Sequence, residues 1–500
     1  MRRDLLLTLL CSMGLFGSLA ADAQGPIGPG AQGPPAPGDT LHLSLEDCVR
    51  RAIESGEEVG AAEADLASAR ASYLQARADA LPQLNLATSY TRQIESVFRD
   101  TGPGIDPFEA DTTADLDVRV REVEKALPTA WLAGLGDLFG STAFASENTW
   151  NATLTLGQKI LDGGSLWNSI RGARHALRSA EQAQQDRIDD AVLGVREAYL
   201  GALLADRGVH IAELGLTQAD SQLQRIRLRQ ETGLASEFEL LQAQVQRDNQ
   251  LPLVTDARSL REMAYLELAR LANLPPGPLG LTTPLLEREA VPADPAPLDT
   301  TGLVPRALAT PGVLALTEAV QAYSAAVAVA KSGHWPALSV FASFSEQAYP
   351  EDPFPVADDW KRDIRAGAEI SWSLFDGLRT KGSVEQARAQ QLRARQSLRQ
   401  MQERIRQAVL RSALDLQRAA MDLQSRSRTV ELARRVYELA SLRYEEGASD
   451  LLEVADARIA YQIAQTNEAR GRHDYFLALA RLERYSGQPL FTAAVPSGSR

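Results

Sequence analysis

The residues that could catalyse a reaction or bind a metal are few and widely scattered. Metal sites in proteins combine several histidine, cysteine or carboxylate ligands at characteristic spacings. None of the five histidines has such spacing: they are His42, His175, His210, His334 and His473. The sequence also contains no nucleotide-binding loop and no convincing catalytic constellation. We therefore predict that the chain is not an enzyme and holds no metal and no other cofactor.

Cysteine content and net charge narrow the protein class further. Cys11 lies in an apolar run at the N-terminus, so Cys48 would be the only cysteine of a mature chain. A single cysteine cannot form an internal disulfide, so stability must come from packing. The formal net charge of −13 argues against nucleic acid as a partner.

The N-terminus has the pattern of a secretory signal peptide. Basic residues at Arg2 and Arg3 precede an apolar run and the small-residue site Ala21-Asp22-Ala23. A transmembrane anchor is the alternative, but the run is shorter than the roughly 20 residues that a spanning helix needs. We expect a signal peptide over residues 1–23, followed by a flexible leader rich in proline and glycine over residues 24–42.

The chain contains an internal duplication. The interval from Asp162 to Gly233 equals the interval from Asp376 to Gly447. The two copies are offset by more than 200 residues, and a repeat period that long indicates duplication of a whole domain and not a solenoid. We predict a first repeat over 43–273, a proline-rich linker over 274–302, a second repeat over 303–487 and a tail over 488–500.

Each repeat combines one very long helix with two strands. After each Asp-Gly turn, apolar residues recur in steps of three and four, which is typical of coiled-coil packing. Such helices of about 65 residues would be roughly 100 Å long. Alternating patterns predict strands near 83–94, 148–160, 337–349 and 363–374, about the length of membrane-spanning strands. Alternation alone leaves open a half-buried soluble sheet.

Four strands cannot close a barrel, and a bilayer tolerates strands only in closed barrels. If the strands cross a membrane, several copies must therefore assemble, and a trimer would supply 12 strands. The first strand pair carries an insertion over 95–147 that the second lacks. It is interpreted either as a small ordered cap or as a variable surface loop.

The order of strand pair, Asp-Gly turn, long helix and glycine-containing tip, present twice, closely resembles that of the TolC-like outer membrane efflux proteins. The second tip, residues 443–457, carries the resemblance most closely, and the resemblance covers nearly all of the mature chain. It implies a mainly α-helical homotrimer, with a 12-stranded outer membrane β-barrel continued by a long α-helical barrel in the periplasm. It further implies contact with outer membrane lipid, a periplasmic adaptor protein and an inner membrane pump of the RND or ABC type.

The resemblance also implies a periplasmic gate. Glu453 and Asp456 match lumen-facing carboxylates of the family, which in a trimer would form two acidic rings that favour cations. The alternative is two solvated acids on a helix face. Tyr444 matches the gate tyrosine and Glu239 its acidic partner, so a hydrogen bond between them is expected; otherwise Tyr444 is a packing aromatic. Ser449 replaces an arginine of some relatives, so their latch between protomers cannot be copied here.

Six residues of the two tips are predicted by resemblance to dock the adaptor. They are Gly233, Leu234, Ser236, Gly447, Ala448 and Ser449. The tips themselves are expected near 231–237 and 445–450, and the need for unusual backbone angles already explains the glycines. Pro252 should interrupt the helix that returns from the first tip.

The resemblance implies a passive duct in the outer membrane of a Gram-negative cell. It would export small molecules, such as drugs, toxic compounds or metals, from a pump through the adaptor. Two alternatives stay open at this point: an outer membrane duct for type I protein secretion, and a soluble periplasmic coiled-coil scaffold.

Overall fold

The computed structural model describes residues 41–94, 113–127, 147–275, 277–283, 302–350 and 352–490. The predicted signal peptide and residues 24–40 of the leader lie outside these ranges. So do most of the 95–147 insertion, most of the linker and residues 491–500. Within the insertion, the described part contains a helix over residues 116–127.

The remaining described elements are long helices and one principal sheet. The helices are α1 Leu45–Ser55, α2 Glu57–Ala78, α3 Ser165–Glu231, α4 Glu237–Asp248, α5 Gln250–Leu271, α6 Leu303–Ala307, α7 Pro311–Ser332, α8 Arg379–Glu445 and α9 Leu451–Ser486. The strands are β1 Leu41–Leu43, β2 Gln83–Arg92, β3 Asn148–Asp162, β4 Leu279–Leu281, β5 Ala337–Ala348 and β6 Trp360–Ser371. The predicted class, mainly α with a four-stranded sheet in a duplicated chain, is confirmed.

The two long helices are equal in length, because α3 and α8 each contain 67 residues. Each begins after an aspartate whose carboxylate accepts a backbone N–H of the first turn. Asp162 Oδ2 lies 2.8 Å from the nitrogen of Leu166, and Asp376 Oδ2 lies 2.8 Å from the nitrogen of Thr380. These bonds satisfy N–H groups that have no partner inside the helix. Both long helices therefore begin and end at equivalent points of their repeats.

Strands β2, β3, β5 and β6 form one antiparallel sheet in that order. β3 of the first repeat pairs directly with β5 of the second, so the two repeats share the sheet. β6 begins at Trp360 and ends at Ser371, earlier at both ends than the predicted range 363–374. It ends there because Ser371 pairs with Ala337, the first residue of β5, and the preceding Pro336 has no N–H to extend the ladder.

The sheet has one apolar and one polar face. The register aligns one apolar row across all four strands: Leu86, Leu154, Phe344 and Ile364. Because successive side chains point to opposite faces, the neighbouring row, Ala87, Thr153, Ser345 and Asp363, lies on the other face. The outermost members of the apolar row, Leu86 and Ile364, are 60% and 70% exposed.

Aromatic side chains lie at both ends of the sheet. At the end far from the helices, the rings of Tyr90 and Trp150 lie 4.7 Å apart, and Trp150 Nε1 donates to the carbonyl of Pro353. At the helical end, Trp335 and Trp372 are largely exposed. Aromatic belts at both edges of an apolar band are characteristic of strands that cross a membrane.

The main core lies where the N-terminal segment, the linker and the helices of both repeats meet. β1 pairs in parallel with β4 of the linker, and Cys48, Tyr199 and Leu482 are almost completely buried nearby. The predicted leader, 24–42, therefore extends too far, because its last two positions already belong to β1. Ser44 and Asp47 form a capping box at the start of α1.

The returning helix differs between the repeats. In the second repeat α9 is continuous, whereas in the first repeat α4 and α5 are separated at Asn249. Pro252 causes this break, because its nitrogen has no hydrogen to donate to the carbonyl four residues earlier.

Helix α7 is long and apolar enough to cross a membrane by length and composition. It packs along α3, however, and Glu318 Oε2 on α7 lies 2.6 Å from His175 Nδ1 on α3.

Candidate functional site

The two tips, where α3 and α8 end, have the same backbone geometry. Gly233 and Gly447 adopt left-handed conformations, with φ angles of 77° and 73°. The nitrogen of Leu234 donates to the carbonyl of Arg229 at 2.7 Å, and that of Ala448 to the carbonyl of Arg443 at 2.8 Å. A left-handed residue with bonds of this pattern is a Schellman-type helix ending. Glycine is required there because a side chain strains that conformation.

The predicted docking residues form the outer surface of these turns. Leu234 is 71% exposed, although leucine is an apolar residue. Gly233, Ser236, Gly447 and Ala448 are exposed as well, whereas Ser449 is half-buried. A methyl group placed on either tip glycine would meet no atom within 4 Å. The tips therefore offer open, partly apolar surface to another molecule.

Glu239 is engaged in its own helix. Its carboxylate accepts from the backbone nitrogen of Ser236 at 2.7 Å, and its nitrogen donates to Ser236 Oγ at 3.2 Å. This reciprocal arrangement is a capping box, which satisfies two N–H groups at the start of α4. The local bonds keep the Glu239 side chain at the helix end.

The expected hydrogen bond between Tyr444 and Glu239 is absent from this structure. Tyr444 is buried, and its hydroxyl has no hydrogen-bond partner. The guanidinium of Arg229, on α3, instead lies 5.1 Å from the centre of the Tyr444 ring. Burial raises the pKa of the Tyr444 hydroxyl; Arg229 opposes this and Glu239 adds to it. Tyr444 thus joins the two repeats through its ring and not through its hydroxyl.

A second contact joins the repeats beside this ring. Arg225 Nη1, one turn before Arg229 on α3, lies 3.3 Å from Glu445 Oε1 at the end of α8. Both side chains are more than half exposed, so the ion pair alone contributes little stability. Neither arginine is among the residues predicted from the sequence, although their spacing places them on one helix face. Around the pair, a small apolar cluster packs the two tips together; it includes Ile226, Ala440 and Leu451.

Glu453 and Asp456 are both exposed on the first turns of α9, but their surroundings differ. Glu453 Oε1 accepts from Arg443 Nη1 at 2.7 Å, and its other oxygen accepts from the hydroxyl of Ser449. Asp450 caps the helix by accepting from the nitrogen of Glu453 at 2.9 Å. Glu453 is therefore not a free carboxylate, since a cation of the same chain already neutralises it. Some relatives have an arginine at the position of Ser449. In this chain the arginine at the tip is Arg443, which pairs with Glu453.

The described residues contain no group of three or more histidine, cysteine, aspartate or glutamate side chains suited to a metal ion. Among the named tip residues, Glu239 takes part in capping, Glu453 in an ion pair and Tyr444 in packing between the repeats. The geometry is that of two helical hairpins held together at their ends. It can present surface to a partner and place charges at a tube mouth.

Comparison with known proteins agrees with this geometry. The family model described as outer membrane efflux protein matches residues 48–274 and 306–488. The pyoverdine export outer membrane protein OpmQ of Pseudomonas aeruginosa is 26% identical over 358 residues. That alignment covers 69% of this chain and spans 64% of the length of OpmQ.

Solved structures share the fold at lower identity. The Campylobacter jejuni CmeC outer membrane channel is 14% identical, with a TM-score of 0.69 over 89% of this chain and 85% of that one. The outer membrane protein VceC of Vibrio cholerae is 16% identical, with a TM-score of 0.67 over 89% and 96%. Because the family model matches most of the sequence in both repeats, this chain belongs to the outer membrane efflux protein family.

Proposed function

We propose that this protein is the outer membrane duct of a tripartite efflux system and acts as a homotrimer. The observation that carries the proposal is the sheet. It has an exposed apolar face, aromatic residues at both ends and two edge strands, β2 and β6, without a partner in the described chain. A soluble scaffold would not expose such a face to water. In a bilayer the open edges must pair, and copies of the same chain supply the partners.

The duplication suggests how the copies join. Within the chain, β3 of the first repeat pairs with β5 of the second. The equivalent contact between copies pairs β6 of one protomer with β2 of the next. Three copies then close a barrel of 12 strands, whose polar face lines the lumen and whose apolar face contacts lipid.

Exposed residues near the tips support the same assembly. On α4, at one edge of the helical layer, three apolar side chains are more than half exposed: Phe238, Leu241 and Val245. On α8, at the other edge, three more are between 44% and 56% exposed: Val436, Leu439 and Leu442. Both sets lie within about three helical turns of a tip glycine. Burying these rows against each other would join the helices of neighbouring protomers into a continuous tube.

The remaining assignments follow from this position in the cell envelope. The tube passes substrate from a periplasmic adaptor, docked on the tips, to the outside, while an inner membrane pump supplies the energy. The chain itself is a passive duct without enzymatic activity. We assign small molecules as its substrates; the relative OpmQ is named for export of pyoverdine.

Asp456 and Glu453 form the acidic constriction in this proposal, and Arg443 tunes its charge. Because Glu453 is paired within the chain, Asp456 supplies the larger part of the field that attracts cations. Tyr444 acts with Arg229 and holds the two hairpins of one protomer together in the resting state.

The test of the assembly is reconstitution of the full chain. The protein should be recovered from outer membranes as a trimer whose mobility on a denaturing gel changes on heating, and it should form channels in planar bilayers. Recovery as a soluble periplasmic protein would overturn the proposal.

Deletion of the gene tests the substrate class and should sensitise cells to small toxic compounds. Loss of a secreted protein without such sensitivity would instead assign the duct to protein secretion.

A further inference from the structure

The core near β1 contains a groove that the proposed function does not use. It has a volume of about 430 Å³. Residues 261–269 of α5 form one wall, with the Tyr265 ring among them, and the segment around Pro275 and Pro278 forms the other. We call it the equatorial groove. Its lining combines an aromatic ring, aliphatic side chains, one guanidinium and one carboxylate.

The pairing of β1 determines which part of the chain runs towards this groove. β1 is parallel to β4, with Leu41 opposite Leu279, and the nitrogen of Leu41 donates to the carbonyl of Pro278 at 3.0 Å. A chain that continued in the direction of β1 would bring the residues before Leu41 beside the residues before Leu279. In an extended chain residue 39 lies opposite residue 277, and residue 37 opposite residue 275. Those two opposite positions belong to the wall of the groove.

The sequence just before β1 has the chemistry that fits such a groove. Residues 34–40 read Pro-Pro-Ala-Pro-Gly-Asp-Thr. Proline cannot donate a hydrogen bond, so this segment cannot continue the ladder as a regular strand. It favours the polyproline II conformation instead, and segments of that kind bind grooves lined by aromatic residues. In the groove, the Tyr265 ring is held in place by its hydroxyl, which donates to Asp206 at 2.6 Å.

Charge supplies a second match. Between residues 24 and 40, Asp39 is the only charged residue. Arg261 lies in the α5 wall of the groove, which faces the wall beside which residue 39 would pass. A carboxylate beside a guanidinium is the favourable arrangement, and it fixes the position of the segment along the groove. Glu262 also lines the groove, and its negative charge would disfavour any placement of Asp39 away from Arg261.

We propose that residues 34–39 occupy the equatorial groove of their own chain, with the Asp39 carboxylate beside the Arg261 guanidinium. The segment then acts as a strap that fastens the N-terminus to α5 and to the start of the inter-repeat linker. The strap joins parts of the chain that are distant in sequence. This role does not depend on which substrate the duct carries.

The test is chemical cross-linking in the full-length assembled protein. Pro37→Cys is combined with Leu266→Cys and treated with a short bifunctional maleimide, and Gly38→Cys serves as a second attachment point. We expect a link within one chain, seen as a cross-linked peptide by mass spectrometry without a dimer on a denaturing gel. Pro37→Cys with Leu228→Cys is the control, because Leu228 is also exposed but lies near the first tip.

Two outcomes would overturn the strap. Links between two chains would show that a neighbouring copy's leader occupies the groove. Absence of a link with both attachment points would show that the leader does not bind in the groove.

A charge exchange adds an independent readout. Asp39→Lys should slow cross-linking about two- to fivefold, as expected for loss of a surface ion pair, and adding Arg261→Glu should restore the rate. Each variant is first checked for the heat-modifiable trimer, which separates misfolding from loss of the strap.

Discussion

The guanidinium of Arg229 on α3 lies 5.1 Å from the centre of the Tyr444 ring on α8. This contact joins the two repeats at the end of the helical hairpins. It replaces the hydrogen bond between Tyr444 and Glu239 that the family resemblance implies. The aromatic ring, and not the hydroxyl, therefore connects the hairpins.

Removing the Tyr444 hydroxyl should leave the resting state intact. Tyr444→Phe keeps the ring and deletes a buried hydroxyl without a partner, so basal conductance should not change and the free energy of unfolding should be equal or higher by about 1 kcal/mol. Arg229→Ala removes a contact worth roughly 0.5–1 kcal/mol and should raise the open fraction about two- to fivefold. Single-channel recording in planar bilayers measures both. A rise with Tyr444→Phe and none with Arg229→Ala would restore the hydroxyl as the latch.

Neutralising Arg443 should strengthen block of the channel by cations. Arg443→Gln frees the Glu453 carboxylate from its ion pair and adds one negative charge per protomer to the mouth. The concentration of a trivalent cation that gives half-maximal block should fall about fivefold, as expected for an electrostatic change of about 1 kcal/mol. Arg435→Gln is the matched control, since this exposed arginine pairs with Glu438 one turn away.

The acidic residues should then contribute unequally. Asp456→Asn should weaken cation block more than Glu453→Gln does in the presence of Arg443. An equal effect of the two changes, or no effect of either, would contradict the assignment of Asp456 as the main carboxylate of the constriction.

A charge placed on the first tip should uncouple the duct from its adaptor. Leu234 is 71% exposed, and Leu234→Asp would put a carboxylate into a surface that needs apolar contact. We expect export in cells to be lost while the trimer and its conductance in bilayers stay normal. Leu74→Asp, at a similarly exposed leucine of α2, should not affect export. Loss of conductance together with export would point to misfolding instead of docking.

Cysteines placed in β6 and β2 should cross-link neighbouring protomers in one register. Leu156 pairs with Ala342 within the chain, and the repeat-equivalent residues are Ile370 and Thr88. Ile370→Cys with Thr88→Cys should therefore give covalent trimers on oxidation. Ile370→Cys with Leu84→Cys should not, because four residues along a strand separate the side chains by about 13 Å. Cross-linking of the second pair alone would place the copies in another register.

The native Cys48 should not interfere with these experiments. It is completely buried, and burial raises the pKa of its thiol to about 11. Below that pH the thiol stays protonated and unreactive, so at pH 8 its thiolate fraction is about two hundredfold smaller than that of an ordinary cysteine. Maleimide should label Cys48 only after denaturation, or as pH approaches 11. Rapid labelling of the folded trimer at pH 8 would mean that the core around α1 opens.

The amino-acid sequence determines the repeat architecture, because the patterns involved are local. Apolar spacing defines the helices, Asp162 and Asp376 define where the long ones begin, and Gly233 and Gly447 define where they end. The spacing of serine and glutamate at the start of α4 is also a local capping signal, and it already opposes a Glu239 bond to the gate tyrosine.

The contacts between the repeats were decided only by tertiary structure. Arg229 meets Tyr444, and Arg225 meets Glu445, although the partners belong to different repeats, and no local pattern ranks these arginines above the others on α3. Arg443 neutralises a tip glutamate because the turn folds one helix end over the start of the next. Packing therefore determined which charges at the tip are paired and which are free, since that depends on distances between helices and not on spacing along one of them.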